Sequence, residues 1–105
     1  MSAVTFVLNE KPGMDRGGAL RYWRETHGPM VGEVPGVRRY VQQHAVGAPE
    51  GEPPFLGVAS LYFDDQAAFA TAAASDEFSA AVADVGDFAD TRLATAVTED
   101  VVIVG

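Results

Sequence analysis

The chain contains no cysteine, which excludes disulfide bridges, thiolate metal ligands and cysteine nucleophiles. Basic residues are scarce: seven Lys and Arg stand against fifteen Asp and Glu, for a net charge of −8 with histidine neutral. Phosphate backbones need clustered cations, and so do anionic membrane surfaces, so neither a nucleic acid nor a membrane is expected as a partner. No apolar run approaches the ~20 residues of a membrane-spanning helix. The opening MSAVTFVLNEK has no basic region followed by a long apolar core, so no secretory signal is expected and the cytoplasm is the expected location. There are only two histidines, His27 and His44, in no HxH or HxxxH spacing with carboxylates, so no metal is expected. GxGxxG, Walker and GxSxG patterns are absent, and no cofactor is expected. The acids are scattered, with no carboxylate pair at a set spacing for acid–base work.

What is there reads as one domain spanning 1–105. Val4–Leu8 is apolar on both parities and reads as a strand buried on two sides. After the NEKPG turn, Asp15 caps a helix whose Gly17-Gly18 opening is poor in propensity, so packing has to hold it. Pro29 predicts a kink or end near His27-Gly28, with one further turn over Met30–Val34. A long strand is expected over Val37–Val46, an exposed loop over Gly47–Pro54, and a third strand over Phe55–Phe63. Asp64 or Asp65 caps a second helix over Ala67–Ala74, and Ser75-Asp76 starts another helical segment. A short piece over Gly86–Thr91 presents Phe88, and Leu93–Val104 is expected as the last strand.

The order β-α-β-β-α-β is the split βαβ, or ferredoxin-like, arrangement: an α+β fold with a four-stranded antiparallel sheet. Its helices cover one sheet face, yet several strands are apolar on both. A bare apolar face is avoided by soluble monomers, so a sheet-to-sheet homodimer is expected.

Candidate chemistry gathers in Leu20–Tyr40. Leu20, Trp23, His27 and Met30 fall on one helix side at i, i+3, i+7 and i+10. His27 is either a proton-transfer group on this aromatic face or a core histidine bonded to a backbone carbonyl freed by Pro29. Tyr40, Gln42 and His44 share one parity of the second strand. If that parity turns toward the helices, Tyr40 donates to a ligand oxygen and His44 lies deeper or at the far rim. Trp23, Tyr62 and Phe88, with Phe69 and Phe78, form either an aromatic slot for a flat apolar ligand or plain core. Arg38 and Arg39 suit either a ligand carboxylate or an edge contact.

The stretch KPGMDRGGALRYWRETHGPMVGEVPGVRRYVQQH, with weaker echoes in LYFDDQAAFATAAAS and around Phe88, resembles the EthD family of the dimeric α+β barrel superfamily. The resemblance implies a small cofactor-free protein that pairs through its sheets, with a pocket between each subunit's sheet and helices. Relatives act on hydrophobic aromatic or polyketide-like compounds as cyclases, decarboxylases, dehydratases or oxygenases. One departure stands out: many relatives have Glu-Glu-Phe in the first helical turn, where this chain has Gly17-Gly18-Ala19. Two readings follow. One is a cofactor-free lyase, cyclase or oxygenase with His27, Tyr40 and His44 as catalytic groups and Trp23, Met30, Tyr62 and Phe88 binding a hydrophobic small molecule. The other is a non-catalytic binding or accessory protein with the same pocket.

Overall fold

The structure, a computed structural model, describes residues 1–105. Strand β1 (Ser2–Leu8) leads to α1 (Arg16–Tyr22), a single π turn (Trp23–His27) and α2 (Gly28–Gly32). Then come β2 (Arg39–His44), β3 (Gly57–Phe63), α3 (Gln66–Ala73), α4 (Asp76–Asp84), a 3-10 turn (Val85–Asp87) and β4 (Ala94–Thr98). The four strands form one antiparallel sheet in the order β2-β3-β1-β4, the expected ferredoxin-like fold. Side-chain caps start the helices: Asp15 accepts from the Gly18 N–H, Asp65 from Ala68 and Ser75 from Phe78. Each satisfies one of the orphan donors of a first turn. The Arg16 guanidinium donates to the carbonyls of Ala45, Phe55 and Leu56 and so clasps the ends of the β2–β3 connection.

Pro29 does not end the helix. The Gly28 N–H reaches back five residues to the Trp23 carbonyl, and Pro29, with no N–H, takes an N-terminal position of α2 where no acceptor is required. The buried positions Ala19, Trp23, His27 and Val31 recur every four residues. Four residues overshoot a straight α-helical turn by about 40°, so that row would wind off the sheet. The wider π turn takes back part of the drift and keeps Trp23 and His27 on the packed side. It also moves Met30 off that row: Val31 is buried in its place, and Met30 is half-buried.

On the helix side of the sheet lie Val4, Phe6 and Leu8 of β1, Tyr40, Gln42 and His44 of β2, and Ala59, Leu61 and Phe63 of β3. Two apolar clusters fill the space beneath the helices. One joins Val4, Val31, Val34, Leu61, Phe63, Ala72 and Ala81; the other joins Leu8, Ala19, Trp23, Leu56, Ala59, Phe88 and Ala89. Phe6 and Tyr40 pack against both. The far face carries Thr5 bonded to Ser60 and Thr98 at 3.2 and 2.6 Å, and Tyr62 under the Arg39 guanidinium.

The strand expected over Val37–Val46 is shorter, Arg39–His44, and that expected over Leu93–Val104 is Ala94–Thr98. The reason for the second is register. The last β1–β4 pair is Ala3 with Thr98, so β1 offers Val101–Val104 no partner, and those four residues are exposed.

Candidate functional site

Three segments meet at His27. The π turn carries the imidazole inward until only 5% of the residue is exposed. The C-terminal end of α4 brings Asp84, whose Oδ2 lies 2.9 Å from His27 Nδ1. Tyr22, at the end of α1, donates its hydroxyl to the other Asp84 oxygen at 2.8 Å, with Asp87 Oδ2 a longer 3.4 Å away. Burial pushes the Asp84 carboxyl up, but the hydrogen bonds from Tyr22 and His27 outweigh it and leave Asp84 below the ordinary carboxylate range. The same bond pushes the Tyr22 phenol up to about 12. Asp84 is therefore an acceptor at both oxygens. The Phe88 ring packs tilted against His27 at 4.9 Å. Nε2 of His27 makes no hydrogen bond to the protein.

A second chain of polar groups runs along β2. Gln42 Nε2 donates to the Trp23 carbonyl at 2.9 Å and to the Tyr40 hydroxyl oxygen at 2.8 Å. Its Oε1 accepts from His44 Nε2 at 2.7 Å. Tyr40 and His44, too far apart on a strand to bond each other, are thus joined through the residue between them. All three interactions of the amide are consistent with one orientation. Since the Tyr40 oxygen receives the Gln42 proton, the Tyr40 hydroxyl hydrogen is left without a protein acceptor. Burial pushes this phenol up, so Tyr40 stays a neutral donor. His44 stacks on Trp23 with ring centroids 4.6 Å apart and 9° between planes. Burial, then the Arg24 charge, pushes its imidazole down.

The Trp23 ring reaches this position because β3 begins with glycine. A Cβ on Gly57 would collide with the Gln43 carbonyl oxygen of the paired strand and would stand 2.5 Å from Trp23 Cζ3 and 2.7 Å from Cη2, so that backbone and the indole together fill the place of a missing side chain. Gly28 plays a smaller part: a Cβ there would lie 3.3 Å from the Trp23 carbonyl oxygen and 3.4 Å from Gln42 Nε2. The Trp23 indole N–H is itself buried with no well-aligned acceptor, although it lies near enough to the Tyr40 oxygen to oppose the effect of burial on that phenol.

Between the two clusters lies a cavity of about 50 Å³, walled among others by Phe6, Leu61, Val31, Ala81 and Val85. His27, Tyr40 and Trp23 also line it. Val82, 51% exposed, is the most solvent-accessible of its walls, which also include Leu93. Of the residues singled out from sequence, Trp23, His27 and Tyr40 come together here. His44 backs Trp23 from behind. Phe88 is fully buried under Tyr22, Trp23 and His27 and supports the site without lining the cavity. Met30, displaced by the π turn, is not among the walls. Tyr62 is on the opposite sheet face, because it alternates with Leu61 and Phe63, and it donates to Asp100 at 2.9 Å. Arg38 pairs with Asp64 at 3.0 Å in solvent.

The expected carbonyl partner of His27 is corrected to Asp84; the Trp23 carbonyl is taken up by Gly28 and Gln42. Sequence reading passed over Asp84 and Gln42. The signal for Asp84 was its place three residues after Ala81 and four before Phe88, an acid among inward positions. For Gln42 it was the shared parity with Tyr40 and His44. No three of His, Cys, Asp and Glu gather to hold a metal ion, and no helix is long and apolar enough to cross a membrane.

Comparison with known proteins brings the EthD domain, which matches residues 11–92. An uncharacterised 11.0 kDa protein from the thcB-thcC intergenic region of Rhodococcus erythropolis is 32% identical over 89 residues, covering 85% of this chain and 84% of that protein. The crystal structure of an ethyl tert-butyl ether D (EthD) family protein from Bacillus halodurans superposes with a TM-score of 0.80 at 29% identity, covering 96% of this chain and 100% of that one. A dimeric ferredoxin-like protein of unknown function from Thermobifida fusca shares the fold alone, with a TM-score of 0.72 at 9% identity over 92% of this chain and 88% of that one.

Proposed function

The chain belongs to the EthD family, and from that premise we propose that its cavity catalyses cofactor-free proton transfer on a hydrophobic small molecule, of an aromatic or polyketide-like kind. One observation carries the reading: two polar valences left unused by the protein, Nε2 of His27 and the hydroxyl hydrogen of Tyr40, belong to residues lining one otherwise apolar cavity. Such a pair suits a carbon acid next to a carbonyl, or a phenol. His27 removes the proton, and Tyr40 donates a hydrogen bond to the oxygen on which negative charge develops. Apolar walls exclude water and strengthen both interactions. A cavity of about 50 Å³ is smaller than an aromatic ring system, so substrate enters by parting the walls on the exposed Val82 side. Aldol-type cyclisation, dehydration beside a carbonyl and cofactor-free oxygenation all begin with a step of this type, whereas in decarboxylation the C–CO2 bond breaks first, Tyr40 bonds the enolate oxygen and the protonated His27 returns a proton to carbon. A purely binding role would need no second group: an imidazole spent on a backbone carbonyl would serve it as well, whereas this one is held by a carboxylate with a nitrogen to spare.

The working unit in this proposal is a homodimer joined through the sheet face away from the helices. Its support is that face, with Thr5, Val7, Val41, Val58 and Ser60 covered by no helix, together with the exposed Val101–Val104 and the dimeric neighbour from T. fusca. Sedimentation equilibrium reads the mass directly, and a monomer at micromolar concentration removes the dimer from the proposal.

The chemistry is tested by deuterium exchange at the carbon next to the carbonyl in a panel of small aromatic ketones. Binding is followed by quenching of the single tryptophan. The His27→Ala protein is expected to bind and not exchange. Exchange that survives in this variant takes His27 out of the mechanism.

A further inference from the structure

We propose that Asp84 and Tyr22 are positioning residues that hold the proton of the neutral His27 ring on Nδ1, so that its lone pair is presented at Nε2. The inference deepens the proton-transfer reading of His27 and depends on it for its meaning in catalysis. Its own content, the tautomer of one ring, is measurable without any substrate.

The geometry supplies the argument. In a neutral imidazole one nitrogen donates and the other accepts, and the partner of the first decides the role of the second. Asp84 is an ionised acceptor 2.9 Å from Nδ1, so Nδ1 carries the hydrogen. Nε2 is then the acceptor, and it is the nitrogen with no protein partner. Charge-assisted hydrogen bonds are about twice as strong as neutral ones, and this one is nearly out of water: the two side chains are 7% and 11% exposed.

Tyr22 makes the arrangement directional. Its hydroxyl donates to Asp84 Oδ1, which fixes which carboxylate edge is free to face His27. The three groups come from the end of α1, the π turn and the end of α4, so the carboxylate also ties α4 to the leading helix at the cavity wall. Phe88 keeps solvent from the bond, with its ring 4.9 Å from the imidazole and 5.5 Å from the Tyr22 ring.

An Asp84→Asn substitution turns this logic into a test. Position 84 offers the Tyr22 hydroxyl its nearer acceptor, at 2.8 Å against 3.4 Å to Asp87, so the amide oxygen stays with Tyr22 and the amide nitrogen faces His27. An N–H there requires a lone pair on Nδ1, and the proton moves to Nε2. Nitrogen-15 NMR of the labelled protein, read on the neutral ring, is expected to show the Nδ1–H form of His27 in the wild type. In Asp84→Asn the ratio is expected to swing toward Nε2–H by roughly tenfold or more, as a hydrogen bond of this strength can impose. With Tyr22→Phe added, the amide is free to rotate and part of the Nδ1–H form returns. A wild-type ring already in the Nε2–H form overturns the proposal, whatever the folding of the variants. So does a tautomer ratio unchanged in a folded Asp84→Asn protein. Failure of ketone exchange with the tautomers as expected would instead count against the catalytic reading and leave the positioning intact.

Discussion

The two clusters beneath the helices are built from similar amounts of chain and do opposite things. Around Phe63 the packing is apolar throughout: Val4, Val31, Val34, Leu61, Ala72 and Ala81 meet Phe69 and Phe78, with the Phe63 and Phe69 rings 5.3 Å apart. Around Trp23 the packing is threaded by Tyr22, His27, Gln42, His44 and Asp84, joined by hydrogen bonds. Buried polar groups are costly unless partnered, and here nearly every one is. The few valences left over are at the seam between the halves, where Phe6 and Tyr40 belong to both. One half supplies stability and the other spends polar groups on geometry, and the cavity lies where they touch.

This division can be broken from either side. The largest effect is expected from Phe63→Ala, which empties a fully buried position in the apolar half and costs about 3–5 kcal/mol. Chemical denaturation measures the loss, while emission from Trp23, the single tryptophan, should keep its native wavelength. A shift in that emission would mean the halves are mechanically one.

Next comes Gly57→Ala on the polar side. The new Cβ would meet the Gln43 carbonyl oxygen of β2 and fall 2.5 Å from Trp23 Cζ3, and overpacking of this sort costs roughly 1–3 kcal/mol. Here the emission of Trp23 should change, since the indole must leave its seat against His44. An unaltered spectrum with wild-type stability would show that the glycine is dispensable.

The mildest probe is pH, because only the polar half titrates. His44 has a lowered pKa in the folded chain, so as pH falls below the ordinary 6.5 the unfolded chain takes up a proton first and stability declines. Asp84 is also lowered, and its contribution, complete above 3.8, is lost as pH falls through the folded value. Tyr22 works in the other direction: the stability it contributes is complete below 10 and is lost as pH rises through about 12. Denaturation midpoints across the acidic range should fall with the same slope in wild type and Phe63→Ala. Different slopes would place a titrating group in the apolar half.

Sequence periodicity carried most of the fold, because alternation and helical spacing are local. Ala59, Leu61 and Phe63 announced an inward strand face, and Asp15, Asp65 and Ser75 marked helix starts. The site was half legible. His27 and Tyr40 stood out as ionisable groups on apolar faces. Asp84, fifty-seven residues from its imidazole, could not be paired with it, since any of fifteen acids was eligible and only the packing of α4 chooses. Met30 was misplaced for a related reason: regular spacing assumes a uniform helix, and the π turn advances the inward row to Val31. Tyr62 was drawn toward the slot by its aromatic character although its parity already placed it on the other face.

That widened turn also fixes how the leading helix is phased. Trp23 and His27 are separated by one residue more than an unbroken α-helix would need for the same rotation, so the angle between the two halves of the rod is written locally in the chain. Shortening the segment by a single residue between them would let the helix close into ordinary turns with little change of phase, whereas the same deletion within α1 would swing everything beyond it by about 100°. The imidazole would then face away from α4 while the helix itself, and the sheet below it, stayed whole.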